Sequence, residues 1–278
     1  MDKKEVQLIL KQLKITPNKK LGQNFLIDKN VVKKVISLSE LSNDDIILEI
    51  GPGLGALTKE LVKKVKKIYA IEIDRRLVSY LNKKFSNFDN IEIIHGNILE
   101  SEIPYYNKVV SNIPYSITGP IFERIFYKKD PPTGILIIEK SLSERIFISD
   151  NYKNFSRISV TANIFINPLS KSTISRMSFY PIPKIPLSLI KIIPKQNINP
   201  FLMKKDAIVF FLKFVAGIMP YKNKNIVNAL DLYFKTSNRK KYTKEEIFII
   251  LNKNNYDNKK LFSYTIEEFI EICKLFYS

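Results

Sequence analysis

The chain is poor in the residues that most enzymes use for chemistry. Its 278 residues include one cysteine, one histidine and no tryptophan. The single Cys273 excludes an internal disulfide and a thiolate metal cluster. The single His95 leaves imidazole triads and imidazole-metal sites without partners. Acidic residues are in the minority, with 27 Asp and Glu against 45 Lys and Arg, for a formal net charge of +18 and a pI near 9.7. That imbalance favours a polyanionic partner such as nucleic acid. A composition heavy in Lys, Asn, Ile and Tyr would also follow from AT-rich coding. Long apolar runs are missing too. The longest, Ala207 to Pro220, contains Lys213 and is too short to span a bilayer. Residues 1–14 set Asp2 and Glu5 among lysines, which is not a secretory pattern. A cytoplasmic protein without a membrane partner is the expectation.

Hydrophobic residues make up 45% of the chain, enough for a packed core. Short apolar runs alternate with helical spacing. Ile46–Ile50, Ile68–Glu72, Ile91–Ile94, Val109–Ser111 and Gly134–Ile138 read as strands. Leu57, Leu61 and Val65, then Leu77, Tyr80 and Leu81, then Ile117 to Phe126, read as intervening helices. This alternation predicts an α/β fold with a parallel sheet covered on both faces. Further strands are expected near Ser159–Phe165 and Leu187–Ile193. Composition shifts at Pro194–Pro200, after which the pattern is helical over Ala207–Ile218, Ile226–Phe234, Lys244–Leu251 and Ile266–Phe276. Two domains are predicted, 1–193 and a small helical one at 194–278.

Three of only eight glycines fall in Glu49-Ile50-Gly51-Pro52-Gly53-Leu54-Gly55, between the first strand and a helix. Glycine opens backbone angles closed to other residues and lets a ligand approach the main chain. Glu72 ends the second strand, twenty-one residues after Gly51, where a carboxylate can accept both hydroxyls of a ribose. Gly51-x-Gly53-x-x-Ala56 also satisfies the dinucleotide fingerprint. These residues alone therefore admit NAD or S-adenosyl-L-methionine. At the next strand end, the Asn97 amide could bond an adenine, with Ile98 packed on the ring.

The fourth strand ends in Asn112-Ile113-Pro114-Tyr115. Pro114 lacks an N–H, holds Ile113 extended and keeps its own carbonyl as an acceptor. The Asn112 side-chain oxygen is a second acceptor, and Tyr115 adds an aromatic face. Two acceptors and a stacking ring suit a planar group bearing an NH2, such as adenine or cytosine.

From about Lys19 to Ile193 the chain resembles the rRNA adenine N6-dimethyltransferases, which modify paired adenosines near the end of small-subunit rRNA. The matching segments are Leu21-Gly22-Gln23-Asn24-Phe25-Leu26, Glu49 to Gly55 with Leu57-Thr58, Ile71-Glu72-Ile73-Asp74, Asn112 to Tyr115, and Ser178 to Ile185. The resemblance implies a Rossmann-like S-adenosylmethionine-dependent methyltransferase sheet with a small C-terminal helical domain. Asn24 and Leu26 would close over S-adenosyl-L-methionine with Gln23 nearby. Gly51 and Gly53 would meet its amino-acid end, Glu72 its ribose, and Asn97 and Ile98 its adenine. Asn112 and the Pro114 carbonyl would hold the target amine, with Tyr115 and Phe179 on the two faces of the base. The sequence departs from the family in three places. Asn97 stands where Asp is usual, Ile113 where Leu is usual, and Ile182 and Pro186 interrupt the later proline-lysine block. Ile113 is frequent in the macrolide-resistance enzymes of large-subunit rRNA, whereas Pro52 and Leu54 favour the small-subunit branch.

The implied partner is small-subunit rRNA within a pre-ribosomal small subunit, met by a monomer. Lys19, Lys20, Lys140, Arg145 and Arg239-Lys240-Lys241 form the expected phosphate track. The rival readings are a dehydrogenase, a large-subunit rRNA methyltransferase, and a non-enzymatic assembly or transcription factor on the same fold.

Overall fold

The computed structural model describes residues 1–18, 21–147, 155–237 and 242–277. Lys19, Lys20 and Arg239-Lys240-Lys241 of the expected phosphate track lie outside them. The chain forms two compact units. The first comprises Met1–Phe126, Asp130–Ser143 and Asn167–Pro194; the second comprises Tyr127–Lys129, Glu144–Ile166 and Lys195–Ser278.

The first unit is built on a seven-stranded sheet. Its strands are β2 (Ile46–Ile50), β3 (Lys67–Glu72), β4 (Ile91–His95), β5 (Lys108–Asn112), β6 (Thr133–Glu139), β7 (Ile166–Ile174, entered from the second unit at Ile166) and β9 (Leu187–Pro194). Their order is β4-β3-β2-β5-β6-β9-β7. The first five run parallel and β9 is antiparallel to β6. Strands buried on both faces are rich in apolar residues, and β2, β5 and β6 are buried through their centres, with Glu49 and Ser111 as buried polar exceptions. Ile47, Val110, Ile135 and Ile137 share a core with Val31 and Val35 of α2 (Lys29–Leu38) and with Leu57 and Leu61 beside α3 (Thr58–Leu61). Leu48, Val109 and Leu136, which alternate with them, are equally inaccessible. A two-stranded piece, β1 (Phe25–Leu26) with β8 (Phe179–Tyr180), is antiparallel. Helix α1 (Lys3–Gln12) is capped by Asp2 and lays Val6 and Leu10 against Phe25, Leu54 and Leu77 of α4 (Arg75–Lys84).

Three expectations need correction. The run Ser159–Phe165 is helical: α7 (Arg157–Phe165) is opened by a Ser156/Ser159 capping box and buries six residues. Its Ile158, Val160 and Thr161 are β-branched, but packing outweighs that propensity. The helical unit is also larger than 194–278. Helix α7 packs on α8 (Lys205–Ile218) and α11 (Ile266–Leu275), together with α9 (Ile226–Thr236) and α10 (Lys244–Lys253), so residues 144–166 belong to it. Finally, the helix after the glycine loop is only four residues long.

That loop is held open by its glycines. Gly51, Gly53 and Gly55 have φ of 63°, 59° and 76°, in the left-handed region. A Cβ on Gly55 would stand 2.8 Å from the buried Phe85 ring of the α4 end. Gly55→Ala should therefore lower unfolding stability by about 2–4 kcal/mol, combining left-handed strain with overpacking. Urea denaturation checks this, and a loss below about 0.5 kcal/mol would contradict it.

Candidate active site

Four parallel strands bring their carboxyl ends to one rim. Ile50 is level with Ile71, and Glu72 with His95; Leu48 is level with Val109. Carrying that register forward sets Gly51, Glu72, His95 and Asn112 in one row. Ligands of open α/β sheets bind beyond such ends. A cavity of about 200 Å³ lies there. Gln23, Asn24, Gly51, Gly53, Glu72, Asn97, Ile98, Asn112 and Pro114 all line it.

Glu72 anchors the row. One carboxylate oxygen accepts the Gly53 N–H at 3.1 Å, and the other accepts the Asp74 N–H at 3.0 Å. Each oxygen keeps a further lone pair. Burial raises the Glu72 pKa above the ordinary carboxylate value, against the pull of those backbone donors. Asp74 caps α4 and accepts from Gln23 Nε2 at 3.3 Å, while Gln23 Oε1 accepts the Asn18 N–H at 2.8 Å. Gln23 is thus fixed to Asp74, two residues beyond Glu72.

Asn97 builds a turn. Its Oδ1 accepts the Leu99 N–H at 3.1 Å and its Nδ2 donates to Glu100 at 3.0 Å. This sets the amide's orientation and carries Ile98, only 4% exposed, under the cavity.

Asn112 has the most telling surroundings. Its Nδ2 donates to the Asn24 carbonyl at 3.1 Å, which fixes the side-chain flip. Its Oδ1 is buried and has no hydrogen-bond partner. A buried acceptor without a donor costs free energy unless a ligand supplies one. The Pro114 carbonyl is less free than the sequence implies. It accepts the Ile117 N–H at 3.2 Å and faces the Thr118 hydroxyl at 3.3 Å. That hydroxyl is equally close to the Tyr115 carbonyl and has one proton to donate, so Pro114 retains a lone pair.

Three expected residues do not line the cavity. Leu26 is 4% exposed, pairs with Phe179 across β1 and β8, and lines a smaller adjoining chamber instead. Phe179 is 1% exposed and packed into the sheet core, so its ring offers no open face. Tyr115 packs against the same core with its hydroxyl buried and unpartnered, and burial pushes that hydroxyl's pKa up.

The structure also adds residues that sequence reasoning missed. Ile73, 47% exposed, follows Glu72 and gives the cavity an apolar wall. Its signal was an isoleucine just beyond a strand end. Gly22, at φ 63°, lets the opening motif lie against Pro114; an added Cβ there would be 3.3 Å from the proline ring. Glu49 is 2% exposed, accepts the Thr58 hydroxyl at 2.7 Å and lines the smaller chamber with Asn24, Gly51 and Asn112.

A left-handed glycine loop, a buried carboxylate and an asparagine-built turn line one cavity at the strand ends of a Rossmann-like sheet. The glycine backbone and the free lone pairs of Glu72 fit the aminoacyl and ribose ends of S-adenosyl-L-methionine. The sequence profile described as Ribosomal RNA adenine dimethylase matches residues 15–273, and the chain belongs to that family. A curated relative from Pyrococcus furiosus, "Probable ribosomal RNA small subunit methyltransferase A", is 34% identical over 263 residues, covering 95% of this chain and 93% of its own. "Ribosomal RNA small subunit methyltransferase A" of Natranaerobius thermophilus is 30% identical, with 99% and 96% covered. Among solved structures, a dimethyladenosine transferase from Plasmodium falciparum superposes with TM-score 0.73 at 20% identity, over 89% of this chain and 95% of that one. The 23S rRNA methyltransferase ErmE gives 0.62 at 22%, over 91% and 99%. Both share the fold.

Burial raises the Glu49 pKa from 4.5 to about 8. Between those values the native state keeps a proton that the unfolded chain has released, so Glu49 makes stability fall as pH rises. Glu49→Gln has no such proton. Its melting temperature relative to wild type should therefore rise steadily from pH 5 to pH 8. A constant difference would show that Glu49 does not titrate there.

Proposed function

We propose that the protein transfers methyl groups from S-adenosyl-L-methionine to the N6 amines of adjacent adenosines near the 3′ end of small-subunit rRNA. The supporting observation is the buried, partnerless Asn112 Oδ1 beside the cofactor cavity. When bound, the cofactor supplies a methyl already activated by its sulfonium. The chain's task is the nucleophile, because the adenine amine lone pair is delocalised into the ring. Asn112 Oδ1 accepts one amine N–H and the remaining Pro114 lone pair accepts the other. Those bonds favour a pyramidal nitrogen and aim its lone pair at the methyl carbon. The N–C bond forms as the C–S bond breaks, and the alkylated nitrogen then releases a proton to water. No strong base is needed.

To reach the amine, the base must leave its stack. In the proposed complex Tyr115 supplies one face. For Phe179 to supply the other, β8 would have to shift away from Leu26. The helical unit is proposed to bind RNA, and the intact Asn112–Tyr115 motif argues against a purely structural role. We place this monomeric enzyme in the cytoplasm, acting on a pre-ribosomal small subunit. Among the described residues no helix is long and apolar enough to cross a membrane.

Small subunits lacking the modification, incubated with labelled S-adenosyl-L-methionine, should yield dimethyladenosine. Asn112→Ala should lower kcat at least about 100-fold, while cofactor affinity measured by calorimetry changes by less than about tenfold. An Asn112→Ala variant as active as wild type would remove the assigned role. Binding of NADH in place of S-adenosyl-L-methionine would restore the dehydrogenase reading.

A further inference from the structure

Beside α2 and α3 lies a groove of about 410 Å³ that the proposed reaction does not use. It lies wholly within the first unit. Leu26, Ile27, Val32, Ile36 and Ala56 give it an apolar floor. Lys29, Lys33, Lys59 and Lys64 stand exposed around its rim, and Lys84 closes one end with its ammonium bonded to the Leu54 carbonyl at 2.7 Å. Among the described residues the four rim lysines make no ion pair. The one carboxylate lining the groove, Glu60, is paired with Lys63 at 3.1 Å. Lys29 and Lys33 sit one turn apart on α2, a like-charge pair that weakens a helix on its own. The rim therefore presents uncompensated positive charge above a recessed apolar surface.

The groove neighbours the active site through shared lining residues. The smaller chamber shares Leu26 and Ala56 with it, and shares Asn24, Gly51 and Asn112 with the cofactor cavity. A membrane surface suits the reverse arrangement, with apolar groups projecting beyond the lysines. Charges on the rim and apolar side chains between them match a nucleotide, whose phosphates lie outside its base.

We propose that this groove binds a single-stranded segment of the RNA substrate, with phosphates on Lys33, Lys59 and Lys64 and a base over Val32 and Ile36. This rests on the reading that the substrate is RNA, and it adds a second RNA contact on the same unit as the catalytic rim.

The test uses the full chain without cofactor and a fluorescently labelled RNA hairpin that carries the target adenosines and a single-stranded flank. The triple variant K33A/K59A/K64A removes three exposed charges and no hydrogen bond. A control triple, K34A/K66A/K83A, removes the same charge outside the groove. The groove triple should weaken binding at least about tenfold in 0.1 M salt and reduce the slope of log affinity against log salt by about 2, near 0.7 per phosphate contact. The control should change both far less, and arginine at the three groove positions should restore both. Melting temperatures establish that each variant is folded.

Equal losses in the two triples, an unchanged groove triple, or no RNA binding by wild type would each overturn the proposal. So would lysine-dependent binding to phosphatidylglycerol vesicles with RNA affinity unaffected. The two readings fail separately. If wild type binds RNA through the groove but transfers no methyl, the reaction is wrong and the groove stands. If methyl transfer occurs and the groove triple binds RNA as wild type does, the groove is wrong.

Discussion

The Glu72 carboxylate holds two backbones in place. By accepting from Gly53 and Asp74, it ties the loop after β2 to the end of β3. The Gly51 N–H adds a bond to the Ile71 carbonyl at 2.9 Å, and Asp74 also accepts from the Arg76 N–H at the start of α4. The arrangement is under tension: burial disfavours the charge while the donors favour it. A ligand offering further hydrogen-bond donors relieves that tension without rearranging the backbone, which is the condition for a preformed site.

From this anchor the rest of the rim is positioned by register. Parallel strands in fixed alignment place Gly51, Glu72, His95 and Asn112 at one height, so four loops reach one ligand without any of them being long. The opening motif joins through two side-chain amides: Asn112 Nδ2 donates to the Asn24 carbonyl, and Gln23 Nε2 donates to Asp74. The same Asn112 side chain therefore secures the opening motif through its nitrogen and keeps a buried, partnerless oxygen. Charge is absent from that position. Glu72 lines the cavity and Glu49 the smaller chamber, and both are buried.

Much of this was legible because doubly covered parallel strands concentrate apolar residues, and because Glu72 and Asn112 end such strands and Gly51 to Gly55 follow one. Less was legible where tertiary packing decided the outcome. The stretch Ser159–Phe165 reads as a strand until its packing against α8 and α11 is known. Lys3–Gln12 looks like a charged lead-in, although Val6 and Leu10 at helical spacing bury a face. Phe179 was recognised from its motif, but its complete burial depends on pairing with Leu26, more than 150 residues away in sequence. The lysines of the α2 groove are scattered between positions 29 and 84 and form no run, so no charge pattern along the chain marks them.

The Asn112 oxygen and the Pro114 carbonyl share a property that bears on stoichiometry. Acceptors of this kind recognise hydrogens rather than nitrogen. On the proposed reaction an unmodified adenine amine offers two, a singly methylated amine offers one, and a doubly methylated amine offers none. Each turnover removes one of the contacts that held the substrate. The site thus counts to two and then has nothing left to grasp, so the end point of the reaction is set by the valence of the amine and needs no separate device for product release.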